Sequence, residues 1–231
     1  AHASDPAAGG FWKRLTMGAK VFARTPSLRF LMLTNVVVAA GTAIVLVNSV
    51  VYARGVFDLD AAGLAFALGA YGLGSLVVAI STPPIVDRFG VVRTMIAGAV
   101  TIVAGLVAAI LVTAVAQSTT SGWFLLLGTW AFLGMGTAMV NTPSSRLLAD
   151  ASTPANRNLV YTAQFALSHA CFLITYPIAG WLGTQSLILA AIALAAIAGA
   201  GLAAAIRLSG PIPPRDREPV APASARGIEG P

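Results

Sequence analysis

The sequence predicts an all-α, polytopic membrane protein: six transmembrane helices arranged as a 3+3 inverted repeat, with a basic lead-in before them and a polar tail after them. Three observations carry that expectation. The 231-residue chain is 57% hydrophobic and only 10% charged, whereas a soluble domain carries about 25% charged residues. Its apolar residues fall into six runs, each of about 20 residues or more, the length that crosses ~30 Å of hydrocarbon. Polar residues inside those runs concentrate on single helical faces of some spans and are nearly absent from others, in an order that occurs twice.

Residues 1–29 read as a cytoplasmic basic lead-in or linker. Lys13, Arg14, Lys20, Arg24 and Arg29 alternate there with Phe11, Trp12, Leu15, Val21 and Phe22, the composition of a helix lying in the membrane interface. The six-helix bundle occupies 30–207, with spans expected at 30–52, 61–86, 92–116, 123–149, 159–182 and 186–206. The remainder, 208–231, has the proline content and polarity of a disordered cytoplasmic tail. The chain opens Ala1, His2 with no initiator Met and no signal peptide, which leads us to expect a fragment of a longer protein.

Charge sets the expected orientation. Of the 14 Lys and Arg residues, 13 fall in the lead-in, the connections after spans two and four, or the tail. Only Arg54 falls on the other side, beside Asp58 and Asp60. By the positive-inside rule both termini are cytoplasmic. The net charge of +6 therefore follows topology, and no nucleic-acid partner is implied. The single cysteine, Cys171, sits in an apolar run, which fits a packed thiol and excludes a disulfide framework or a multi-cysteine metal site.

Span one carries Asn35, Thr42, Ser49 and Tyr52 at i, i+7, i+14 and i+17, on one helical face. Span four repeats this with Thr137, Asn141 and Ser144, and span five carries Tyr161, Gln164, Ser168, Cys171 and Thr175 with His169 and Tyr176 alongside. Span two has Tyr71, Ser75, Ser81 and Thr82, while Gly63, Ala67, Ala70 and Gly74 form a small-residue face suited to close helix packing. Spans three and six hold almost nothing polar. Because unpaired polar groups in lipid cost several kcal/mol each, the striped helices are expected to face a pathway or one another, and spans three and six to lie outside. That order, repeated in two triplets of opposite direction, is an inverted-repeat arrangement.

Candidate solute-pathway residues are Asn35, Thr42, Asn48, Ser49, Thr137, Asn141, Gln164, Ser168 and His169. His169 is the ionisable group nearest a span centre, where keeping one is costly and points to function. With Gln164 it is expected near the midplane. No Asp or Glu lies mid-span, so this bundle offers no carboxylate for proton or cation coupling. Ser168 and His169 are adjacent and project about 100° apart on a helix, which does not make a nucleophile and base. No enzyme activity, cofactor or metal follows from the sequence.

One charged interruption stands between spans two and three: residues 82–93, TPPIVDRFGVVR. It reads as a hinge in which Asp87 caps the next helix and Gly90 permits a tight turn. Its Asp87, Arg88 and Gly90 form a D-R-x-G that resembles the loop signature of the major facilitator superfamily, G-x-x-x-D-R/K-x-G-R/K-R/K. Here Pro83 replaces the leading glycine, and Val91 and Val92 replace the basic pair, a weakened form similar to the copy in the family's second half. The resemblance covers about residues 11–207. It implies a secondary active transporter of a small solute working by alternating access, with this chain as the C-terminal six-helix half. A missing N-terminal six-helix half of the same protein would be its partner, in the lipid bilayer of the inner or plasma membrane. It also implies a latch between Asp87 and Arg146 at the cytoplasmic helix ends. The alternative is a membrane scaffold or assembly subunit that transports nothing.

Overall fold

A computed structural model describes residues 11–115 and 119–209. Among them are seven α-helices: α1 Phe11–Arg24, α2 Pro26–Val50, α3 Ala61–Phe89, α4 Val91–Val115, α5 Thr120–Ala151, α6 Arg157–Gln185 and α7 Leu187–Ser209. Six of these, α2 to α7, are long and apolar enough to cross a membrane, so the all-α, six-span expectation holds. Of the tail expected at 208–231, Leu208 and Ser209 belong to α7, and the rest lies outside the described residues.

Each boundary has a local cause. Pro26 opens α2 earlier than expected, since a proline at the first helical positions gives up an N–H that has no partner there anyway. At its far end α2 continues through a π-helical segment, Val51–Val56, beyond the expected residue 52. The Asp60 carboxylate caps α3 by accepting from the N–H groups of Ala62 (2.9 Å) and Gly63 (3.2 Å). The Thr119 hydroxyl caps α5, accepting from the Gly122 N–H at 3.0 Å.

The expected hinge at 82–93 is corrected. Helix α3 runs through Pro83 and Pro84 to Phe89, and Gly90 alone, at φ +86°, separates it from α4. The prolines leave two carbonyls of the preceding turn without helical donors. Both prolines are exposed on the helix surface, and the helix continues through them to Phe89. Asp87 is therefore a residue of α3's last turns and not the cap of α4, whereas the tight turn falls on Gly90 as the sequence suggested.

Helix α2 is the core. Its Val37 to Val45 stretch is buried throughout, as expected for a segment that is apolar all round. It packs against α7, α6, α5 and α4, while α5 packs against α3 and α4. The packing of α6 and α7 on α2 corresponds to that of α3 and α4 on α5 when helix numbers are shifted by three, whereas the α2 to α4 contact has no α5 to α7 counterpart. Spans three and six, expected outermost, are not the most exposed. The shares buried are 39% for α4 and 33% for α7, but only 22% for α3 and 17% for α6.

The tightest approach joins α3 to α5. A Cβ on Gly74 would overlap the Ala131 carbonyl oxygen, and one on Gly134 would overlap the Tyr71 carbonyl oxygen. Only glycine allows two backbones to meet at that distance. The contact lets the Ser75 hydroxyl donate across the helices to the Gly134 carbonyl at 2.9 Å. Helix α1 seats on α6 by a similar device: Gly18 lies against Ala163, and Phe22 is 3% exposed.

Candidate functional site

The polar stripe of α2 meets α5 at Ser49. Helices α2 and α5 run antiparallel: Gly41 lies beside Leu133, and further along α2 the Trp130 indole N–H donates to the Ser49 hydroxyl at 2.6 Å. Trp130, Thr137, Asn141 and Ser144 continue one α5 face at i, i+7, i+11 and i+14. The seam is closed at the end far from the Gly90 turn. There Ser49 also donates to the Val45 carbonyl, the Tyr52 and Thr113 hydroxyls share a hydrogen bond of 2.6 Å, and the Tyr52 and Trp130 rings meet edge to face with centroids 5.3 Å apart. All four of these side chains are buried. Ser49 is thereby fully occupied within the protein.

Towards the Gly90 end the seam changes character. Asn35 and Thr137 are each 7% exposed, yet Asn35 Nδ2 and Thr137 Oγ1 have no hydrogen-bond partner. Asn141, one turn beyond Thr137, is exposed, and Ser144 is half-buried with its hydroxyl donating to the Asn141 carbonyl. Buried polar atoms almost always find partners, so these orphans mark a place where the protein alone leaves hydrogen bonding incomplete.

Helix α6 lies parallel to α2. The Thr175 hydroxyl donates to the Ala39 carbonyl at 3.2 Å, and further along both chains Asn48 Nδ2 donates to the Ala179 carbonyl at 3.3 Å. Asn48 is 1% exposed and packs on Gly183, with its Oδ1 unpartnered. His169 is exposed, and its Nδ1 lies 2.8 Å from the Phe165 carbonyl. A carbonyl only accepts, so Nδ1 carries the proton in this contact. Ser168, half-buried, donates to the same Phe165 carbonyl at 3.0 Å. Gln164 has a buried, unpartnered Oε1. It lies a quarter of the way along α6, next to Ala163 under α1, which is nearer the helix start than the expected midplane.

Two tyrosines absent from the candidate set complete the arrangement. Tyr71 of α3 shares a 3.3 Å hydrogen bond with Thr42 of α2, and Tyr176 of α6, next to Thr175, lies within electrostatic range of Tyr71. Finding them needed the helix register: Thr42 and Tyr71 are 29 residues apart, and nothing in either span's periodicity pairs them.

At the Gly90 end, Arg146 Nη1 donates to Asp87 Oδ1 at 3.3 Å, with the two side chains 55% and 58% exposed. The 59-residue separation is the same as for Ser75 and Gly134, so α3 and α5 keep one parallel register from the crossing to the pair. Arg88 does not join them and stacks over the Phe89 ring at 5.3 Å.

The described helices form a multi-pass membrane bundle in which α2 and α5 meet along polar side chains. The family model described as Major Facilitator Superfamily matches residues 31–229, and the chain belongs to that family. Its members are transporters, so this is a transporter of the major facilitator type. Comparison with curated proteins and with solved structures found no match.

Proposed function

We propose that the chain is one six-helix half of a twelve-helix secondary active transporter that carries a small solute by alternating access. The orphaned polar atoms along the α2 to α5 seam and on α6 carry this reading. Asn35 Nδ2, Thr137 Oγ1 and Gln164 Oε1 are buried without partners, whereas most other intramembrane hydroxyls are bonded to a carbonyl within their own helix or to a neighbouring helix. Groups left unpaired in hydrocarbon cost several kcal/mol each, a cost that a solute or water in a pathway removes. In this reading Asn35, Thr42, Thr137 and Asn141 line the pathway with Ser168 and His169, and Asn48 and Ser49 set its closed end.

The exposure of α3 and α6, the two least buried spans, supports a second bundle of similar size covering them. The shift-by-three pattern of helix neighbours supports two triplets related as an inverted repeat. The basic residues at the Gly90 end support an inner-membrane protein with that end in the cytoplasm. The Asp87–Arg146 pair then serves as a latch between α3 and α5 at the cytoplasmic face. Reconstitution tests the assignment: this chain alone in liposomes gives no saturable flux, and flux appears when the complete reading frame is used. Robust flux from the chain as a monomer would overturn it.

A further inference from the structure

The exposed surface of α6 divides into two chemically different sides. Phe165, His169, Phe172 and Tyr176 fall within about 60° of one another at 100° per residue. They form a continuous ladder, with ring centroids 4.1 Å, 6.0 Å and 5.2 Å apart in sequence. Ile174 and Trp181, 61% and 71% exposed, lie on the other side and suit lipid. The ladder side holds an exposed imidazole, which hydrocarbon disfavours. It adjoins α2, because Thr175, next to Tyr176, is the residue bonded to Ala39.

Hydrogen-bonding groups lie beside the ladder over about two turns of α2. Asn35 is one turn from Ala39 on α2, just as Cys171 is one turn from Thr175 on α6, so the orphaned Asn35 Nδ2 sits at the depth of the His169 to Phe172 rungs. Thr42, about one turn in the other direction, holds Tyr71, with Tyr176 close by. The donors there are the unpartnered amide N–H of Asn35, the Tyr176 O–H and, where Thr42 donates to it, the Tyr71 O–H, beside the imidazole of His169. Among the described residues the carboxylates are Asp58, Asp60, Asp87 and Asp150, all at or beyond helix ends.

Resting on the transporter reading above, we infer that this face binds an uncharged, planar aromatic solute bearing hydrogen-bond acceptors such as a carbonyl. Its ring stacks on Phe172 and Tyr176, and its acceptors take hydrogen bonds from Asn35 and the Tyr71 phenol. Aromatic faces attract cations too. A permanent cation, however, would find no carboxylate at this depth and would leave the donors of Asn35 and Tyr71 unmatched.

The test is equilibrium binding to membrane vesicles carrying the complete reading frame, corrected with vesicles lacking it. The probes are coumarin (neutral, planar, with a lactone carbonyl), tetraphenylphosphonium (an aromatic cation) and methyl glucoside (neutral, not aromatic). Coumarin is expected to bind in preference to the other two. Phe172→Leu and Tyr176→Leu, which keep apolar volume, should each weaken it roughly three- to tenfold, the range aromatic pairing supplies, while Ile174→Ala changes nothing. Tetraphenylphosphonium as the preferred probe would overturn the inference, as would equal losses from Ile174→Ala and Phe172→Leu, which signal simple partitioning. Binding of methyl glucoside that falls with Asn35→Ala but not with the ladder variants would keep the transport pathway and discard the aromatic site. Insensitivity of every probe to both sets would overturn both.

Discussion

Gly74→Ala is the substitution whose outcome the structure fixes most tightly. Three effects compete. Replacing glycine by alanine inside a helix gains about 1 kcal/mol of intrinsic propensity. Against this, the new Cβ overlaps the Ala131 carbonyl oxygen, which is backbone and cannot rotate away. The helices must separate, and overpacking of that kind costs about 1–3 kcal/mol. Separation also stretches the 2.9 Å hydrogen bond from Ser75 to the Gly134 carbonyl, and an interhelical bond in a membrane contributes about 0.6 kcal/mol. The clash and the lost bond outweigh the propensity, leaving a net destabilisation of about 1–2 kcal/mol. Gly128→Ala and Gly199→Ala are the controls, since a Cβ at either position meets nothing within 4 Å and only the propensity gain remains. Unfolding in mixed micelles by SDS titration reads the difference. If Gly74→Ala is as stable as Gly128→Ala, the close α3 to α5 crossing is not present in the folded protein.

Three further outcomes follow from the same geometry. Asp87→Asn and Arg146→Gln should couple by about 0.2–1 kcal/mol, the range for a pair this exposed, and so shift a balanced two-state transporter up to about fivefold; a double-mutant cycle on transport that gives strictly additive effects refutes the latch. Tyr52→Phe removes the hydroxyl from Thr113, which keeps its own bond to the Ala109 carbonyl at 2.6 Å. The stability loss should stay near 1 kcal/mol in the same SDS titration, and a loss of several kcal/mol would mean Tyr52 holds more than this bond. Reporter fusions should place residues 58–60 outside and 152–156 in the cytoplasm, and the reverse pattern would overturn the orientation.

The six spans were legible because a membrane demands long apolar helices, and few other sequences have runs of that length with so little charge. Their ends were less so. Pro83 and Pro84 read as a break, but the helix continues through both to Phe89. The polar stripe of α2 was visible at i, i+7, i+14, yet its members have different fates. Ser49 is bonded by Trp130 and Thr42 by Tyr71, while Asn35 Nδ2 has no partner. Periodicity places a residue on a face; only helix register decides which neighbour reaches it. The Gly74 contact was legible in outline from its small-residue face, since Gly63, Ala67 and Gly74 are all buried. The exposure of α3 and α6 was not, because a helix's own sequence does not say how many neighbours surround it.

Thiol accessibility tests the solute pathway most directly. Single cysteines are placed in the complete reading frame, with Cys171 replaced, and challenged with a membrane-impermeant maleimide from each side. Positions Asn35, Thr137, Asn141 and His169 should react from at least one side and be slowed by transported solute, while Val107, Ile174 and Ile192, exposed on other faces, stay unreactive. Reactivity at these three with none along the α2, α5 and α6 polar faces would contradict the account.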